Sequence, residues 1–138
     1  MNYFVDTSFW CALYDRRDAN HNDAANLWQV LSVLPLRLFT SEYIFDETVT
    51  LVCRRIDHKG AVNLGEALLK SETLVLLEVT EVVRREGWKL FVKYADQCFS
   101  FTDCTSFALM KTHGLQNALA YDRHFTLLGF TLNLPPEL

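Results

Sequence analysis

Tyr3-Phe4-Val5-Asp6-Thr7-Ser8 opens the chain, and Ala118-Leu119-Ala120-Tyr121-Asp122-Arg123 repeats its design near the other end. Each is a short apolar run that stops on an aspartate. Further apolar runs of strand length lie at Leu36 to Phe39, Leu74 to Val79 and Phe130 to Leu134, and longer segments of helical period separate them. Strand-like runs alternating with helices predict an α/β fold with a mainly parallel sheet.

Caps and spacing place the helices. Ser8 is expected to cap a helix from Phe9 to about Arg17. Asn20 or Asn22 opens one carrying Leu27, Val30, Leu31 and Leu34 on a single stripe. Ser41 precedes a helix from Glu42 to Ile56, in which Tyr43, Glu47 and Leu51 share a face because four residues nearly complete a turn. A shorter helix is expected over Ala61 to Lys70, and Thr80 opens another over Glu81 to Ala95. Thr102 opens the last, which stops before Gly114, a residue suited to the left-handed conformation past a helix end.

The 138 residues carry 13 Lys and Arg against 17 Asp and Glu, a formal charge of -4, and half are apolar. That is one compact domain spanning 1–138, with no linker or repeat to divide it. The longest apolar candidate, Leu27 to Leu36, is interrupted by Gln29, Ser32 and Pro35, so no membrane span is expected. The amino terminus lacks the basic and apolar regions of an export signal, so a cytoplasmic location is expected. Cysteines 11, 53, 98 and 104 form no C-x-x-C pair and read as reduced core thiols. Histidines 21, 58, 113 and 124 lack zinc spacing.

Three aspartates take special places in this layout. Asp6 and Asp122 directly follow apolar runs, and Asp103 falls in the first turn of a helix. Ligands of open α/β sheets bind at the carboxyl ends of the strands, where strand order reverses. If the first and fourth strands are neighbours, Asp6, Asp103 and Asp122 share a pocket, and Glu47 joins them from its helix. An aspartate in such a position is commonly only a turn or cap residue. Glu47, on the apolar face between Tyr43 and Leu51, has no capping role to explain it. Carboxylates gathered in low dielectric repel and raise one another's pKa, so a cation must compensate them. Oxygen ligands select hard ions, Mg2+ or Mn2+, whose chemistry is phosphodiester hydrolysis.

The four stretches Val5-Asp6-Thr7-Ser8, Tyr43 to Leu51 around Glu47, Phe101-Thr102-Asp103 with Ala108 beyond, and Tyr121-Asp122-Arg123-His124-Phe125 occur in the order found in PIN-domain ribonucleases. Across nearly its whole length the chain resembles the VapC-type toxins of toxin-antitoxin pairs. The resemblance implies a five-stranded parallel sheet flanked by helices, a Mg2+ or Mn2+ cofactor, and endonucleolytic cleavage of RNA. It assigns Asp6, Glu47, Asp103 and Asp122 to the acidic site, with Thr7 or Ser8 as the supporting hydroxyl. It also implies a homodimer and a cognate antitoxin whose tail enters the active-site groove. One departure stands out: Ala120 occupies a position where the family often has Thr or Ser, which leaves a polar contact near Asp122 unaccounted for.

Cations for an RNA path are offered by Arg16-Arg17, by Arg54-Arg55 with Lys59, and by the stripe Arg85, Lys89, Lys93, which reads equally well as a solvated helix face. Arg123 is the preferred substrate contact because it follows a site acid. His124 is open to two readings, a phosphate contact or a surface residue beside Phe125. Asp46 lies about 100° around its helix from Glu47 and reads as surface. Trp10, Trp28 and Trp88 are expected at least half buried, none on substrate. Two other functions compete with the nuclease. A noncatalytic RNA-binding or protein-interaction module of the same fold would usually lack one of the acids, and none is missing. An aspartyl phosphatase needs a second aspartate two residues past the first, where this chain has Ser8.

Overall fold

The computed structural model describes residues 1–135. Five strands, β1 (Asn2–Val5), β2 (Arg37–Ser41), β3 (Leu74–Leu77), β4 (Asn117–Leu119) and β5 (Thr131–Leu132), form one sheet in the order β3-β2-β1-β4-β5. Every pairing is parallel. The chain therefore builds outward from β1 in one direction, then crosses back and continues from β4 in the other. The point where direction reverses falls between β1 and β4, where Tyr3 pairs with Asn117 and Val5 with Leu119.

Seven helices accompany the strands among the described residues: α1 (Thr7–Tyr14), α2 (His21–Leu31), α3 (Glu42–Arg55), α4 (His58–Lys70), α5 (Glu81–Lys93), α6 (Phe101–Thr112) and the single turn α7 (His124–Leu127). They pack largely in sequence pairs, α1 on α2, α3 on α4 and α5 on α6. The core is continuous and runs from β1 (Tyr3, Phe4, Val5) through α1 (Phe9) and α6 (Phe107, Leu109) to Phe125, each at most 1% exposed. In α6 every residue from Asp103 to Met110 is buried, as expected for a helix enclosed on all sides. Close approach of α5 is possible because Gly87 presents no side chain: a Cβ there would lie 3.2 Å from the backbone nitrogen of Thr105. Gly114, at φ +65°, ends α6 in the manner expected.

The structure shifts several boundaries. Helix α1 starts at Thr7 with Asp6 as its cap, because the Asp6 carboxylate, rather than the Ser8 hydroxyl, accepts an amide of the first turn. Helix α6 is capped by Ser100, not Thr102. The Ser100 hydroxyl accepts the Asp103 amide at 2.9 Å while the Asp103 carboxylate accepts the Ser100 amide at 3.2 Å. Helix α4 begins three residues early, at His58, because Asp57 caps it by accepting the Gly60 amide at 2.7 Å. Helix α2 ends before Leu34 and buries Ala24 and Leu31, leaving Val30 exposed. Trp10 is buried and Trp28 half-buried, but Trp88 is 56% exposed. Cys11 and Cys104 are core thiols, whereas Cys53 and Cys98 are exposed. Among the described residues, no helix is long and apolar enough to cross a membrane.

Candidate active site

Parallel pairing brings the ends of β1 and β4 side by side, and the backbone of Asp6 prolongs it by donating to the Leu119 carbonyl at 3.0 Å. Asp6 follows β1 at once, Asp122 lies three residues past β4, and both face a cavity of about 520 Å3. Helix α6 adds Asp103 from its first turn, and α3 adds Glu47 from its middle. All four expected carboxylates thus line one cavity, although their sequence positions span most of the chain.

Local hydrogen bonds aim each aspartate. The Ser8 hydroxyl donates to Asp6 Oδ2 at 2.6 Å and accepts the Tyr121 amide at 2.9 Å, so one side chain ties the end of β1 to the segment after β4. The Ser8 amide donates to the same carboxylate oxygen at 3.1 Å. Asp103 is held by the cap of α6. Asp122 Oδ1 accepts the His124 amide at 2.9 Å, a turn that starts α7. Thr7 lines the cavity and accepts the Thr48 hydroxyl at 3.3 Å, joining α1 to α3. Glu47 has no such tether: no ion pair or hydrogen bond holds its half-buried carboxylate among the described residues.

His124 settles on the site. Its Nδ1 lies 3.0 Å from Asp103 Oδ2 and 3.1 Å from Asp122 Oδ1, and its ring stands edge-on to Phe99 at 4.8 Å. With the proton on Nδ1 it donates toward both acids. One ligand atom from each of Asp103, Asp122 and His124 lies within 4.8 Å of the others, a spacing at which a single ion can be shared. Asp6 and Glu47 line the same cavity outside that tight group. The expected ligand set was all oxygen, and the imidazole could join it only through a nitrogen that carries no proton. Its sequence signal was its place two residues after a site acid, where a turn folds it back.

Asp6 is 4% exposed, and burial lifts its carboxyl from 3.8 to about 7. The two bonds from Ser8 oppose that rise, and the charges of Asp103 and Glu47 add to it. A carboxylate under this load fits a cation, and the oxygen donors around the cavity could hold a divalent one. Arg123 is exposed and does not line the cavity; the arginine on its wall is Arg55, at the end of α3. Ala120, fully buried, has both backbone groups bound by one side chain. The Asn133 amide donates to its carbonyl at 2.6 Å and accepts its N–H at 2.9 Å.

The PIN domain profile matches residues 3–130. The chain is 41% identical to the 23S rRNA-specific endonuclease VapC20 of Mycobacterium tuberculosis, over 97% of this chain and 98% of that one. It is 26% identical to a VapC ribonuclease of Archaeoglobus fulgidus, covering 92% of this chain and 81% of the relative. The crystal structure of Mycobacterium tuberculosis VapC20, described as a sarcin-ricin loop cleaving toxin, superposes with a TM-score of 0.87 at 38% identity, over 97% of this chain and 99% of that one. VapBC2 from Rickettsia felis, bound to a fragment of its promoter DNA, shares the fold at a TM-score of 0.71 and 10% identity, over 96% and 97% of the two chains. Sheet order, the cavity between β1 and β4 and likeness along nearly the full length agree: the chain belongs to the PIN-domain family, among its VapC-type members.

Proposed function

We propose that this chain is a metal-dependent endoribonuclease that hydrolyses RNA phosphodiester bonds with Asp6, Glu47, Asp103 and Asp122, as the toxin of a toxin-antitoxin pair. The observation that carries the reading is the convergence of these four acids on one cavity at the reversal point of the sheet. Likeness to VapC20 supports a ribosomal substrate, and we assign the sarcin-ricin loop of 23S rRNA as the RNA to test first.

A bound Mg2+ or Mn2+ would lower the pKa of a water and neutralise charge on a phosphoryl oxygen. Asp103 and Asp122, with His124 between them, are the residues we assign to hold it, and Asp6 and Glu47 complete the acidic wall. Ser8 fixes the rotamer of Asp6, so that carboxylate is oriented before any substrate arrives. Thr7, one residue on, supplies a hydroxyl at the cavity surface. Glu47, untethered, is free to turn toward a water and take its proton, the role we give it. Arg123, exposed behind Asp122, is assigned to RNA outside the cavity.

The test is cleavage of a sarcin-ricin stem-loop RNA by purified protein with Mg2+ or Mn2+, abolished by EDTA and lowered by roughly a hundredfold or more by Asp6→Asn or Asp103→Asn in folded protein. Undiminished cutting by either variant rejects the assignment. A second copy and an antitoxin complete the proposal. On α5 Trp88 and Val92 are 56% and 60% exposed and Phe91 39%, an apolar surface that supports a homodimer. A monomer mass in light scattering at micromolar concentration would reject that part.

A further inference from the structure

Arg55 is the one Lys or Arg lining the acidic cavity among the described residues. It continues a stripe: Glu47, Leu51 and Arg55 stand at i, i+4 and i+8 of α3, and all three line the cavity. A cation in the last turn of a helix is favoured by the helix dipole, but Arg54 serves that purpose equally and lines a different groove, between α3 and α4. The dipole accounts for a charge there and not for its direction. Among the described residues Arg55 is in no ion pair, so none of the acids it overlooks holds its guanidinium. Burial pushes the thiol of Cys11, on the same wall, up to about 11, and the Arg55 charge opposes that rise. Arg17 meets the backbone of the same residue: its Nη2 donates to the Arg55 carbonyl at 3.1 Å, and its Nε lies 3.9 Å from Asp15.

An unpaired guanidinium at the mouth of a phosphodiester-cutting cavity is chemically matched to phosphate oxygens, which it binds in a two-pronged fork. Eight helical residues separate it from Glu47, a rise of about 12 Å, so it meets a different phosphate from the one beside the acids. We propose that Arg55 grips a phosphate of the RNA strand flanking the bond that is cut. This assignment rests on the ribonuclease reading above.

Binding of a fluorescent sarcin-ricin stem-loop RNA, followed by anisotropy in EDTA so that nothing is cut, separates the two ideas. Arg55→Ala should weaken binding about tenfold and reduce the slope of log affinity against log salt by about 1 between about 50 and 200 mM salt. Arg55→Lys, which keeps the charge and loses the fork, should retain the slope and part of the affinity. Turnover by Arg55→Ala at saturating RNA with Mn2+ should stay within about twofold of wild type, because a flanking phosphate is held alike before and during the reaction. Unchanged affinity and slope in a variant of wild-type melting temperature would overturn the proposal, as would wild-type protein that does not bind the RNA. Wild-type protein that binds but does not cut sinks the ribonuclease reading, while the Arg55 contact is still decided by the binding data.

Discussion

Asp6 and Asp122 leave the sheet at the carboxyl ends of neighbouring strands and face one cavity, yet they are kept in different electrostatic conditions. Asp6 is 4% exposed and carries the load of burial and of two nearby carboxylates, against which it has only the Ser8 bonds. The Asp122 side chain is 29% exposed, with an imidazole 3.1 Å away. One topology has thus produced a strained, buried acid and a more exposed one. The strained one is the residue whose removal should be felt most in catalysis and welcomed most by the fold.

Activity gives the widest separation. Asp6→Asn should lower the cleavage rate by roughly 10²–10³-fold, as loss of a preorganised charge at a reacting centre does. Asp122→Asn should cost only about tenfold, since Asp103 and His124 remain beside it. Rates of a single RNA cut under Mn2+ compare the two variants directly. Equal losses would erase the distinction drawn between the two strand ends.

Stability without metal moves the other way. The gap between 3.8 and about 7 for Asp6 converts to at most about 4 kcal/mol. The sign follows from proton binding: between those values the folded chain holds a proton on Asp6 that the unfolded chain has lost, so stability falls as pH rises through the interval. Below 3.8 both states are protonated and the group contributes nothing; above about 7 the full penalty is present. Asn keeps the cap and the Ser8 bonds without the charge. Urea unfolding in EDTA should find Asp6→Asn more stable than wild type by about 2 kcal/mol at pH 8, with the difference closing toward pH 4. A variant less stable at pH 8 would mean that Asp6 is there for the fold.

Ser8 links the two strand ends, so Ser8→Ala probes both at once. It removes the 2.6 Å bond to Asp6 and leaves the Tyr121 amide without its acceptor at 2.9 Å. The expected cost is about 1–2 kcal/mol, read as a fall in the urea midpoint with unchanged slope. Because the Ser8 bonds hold the Asp6 carboxyl down, the wild-type pH dependence should also move to higher pH. A destabilisation that leaves this dependence in place would detach Ser8 from the acid.

How far the sequence could be read depended on the range of the interactions involved. Strand runs and the alternation of elements are local signals, and they pointed to the parallel sheet; the neighbouring of β1 and β4 entered only as a condition, which the structure meets. Caps were misread by two residues twice, at Ser8 and Thr102. In each case several oxygen-bearing side chains lay within one turn, and only geometry decides which of them accepts the amide. Capping and site membership had been weighed as rival explanations for the aspartates, whereas Asp6 and Asp103 do both: the bonds that cap a helix also aim the carboxylate. Arg55 was named only as one of several cations and His124 was left between two readings, because their positions depend on the direction of one flexible side chain and on a turn folding back. At Ala120 the polar partner is Asn133, thirteen residues on, which binds the Ala120 backbone rather than supplying the contact near Asp122 that a hydroxyl there would give.

Glu47 and Asp46 give the smallest effect and a clean control, being adjacent acids on one helix. Glu47 faces the cavity and Asp46 is exposed, about 100° away. Asp46→Ala should leave cleavage unchanged and alter stability by no more than about 0.5 kcal/mol, as surface substitutions do. Glu47→Gln, nearly equal in size to the native side chain, should leave the fold intact and relieve part of the load on Asp6. Its cost therefore falls on cutting, not on melting temperature. If Asp46→Ala slowed cleavage as much as Glu47→Gln, the two acids would be acting only through net negative charge, and the face of α3 that carries Glu47, Leu51 and Arg55 would lose its meaning as one wall of the site.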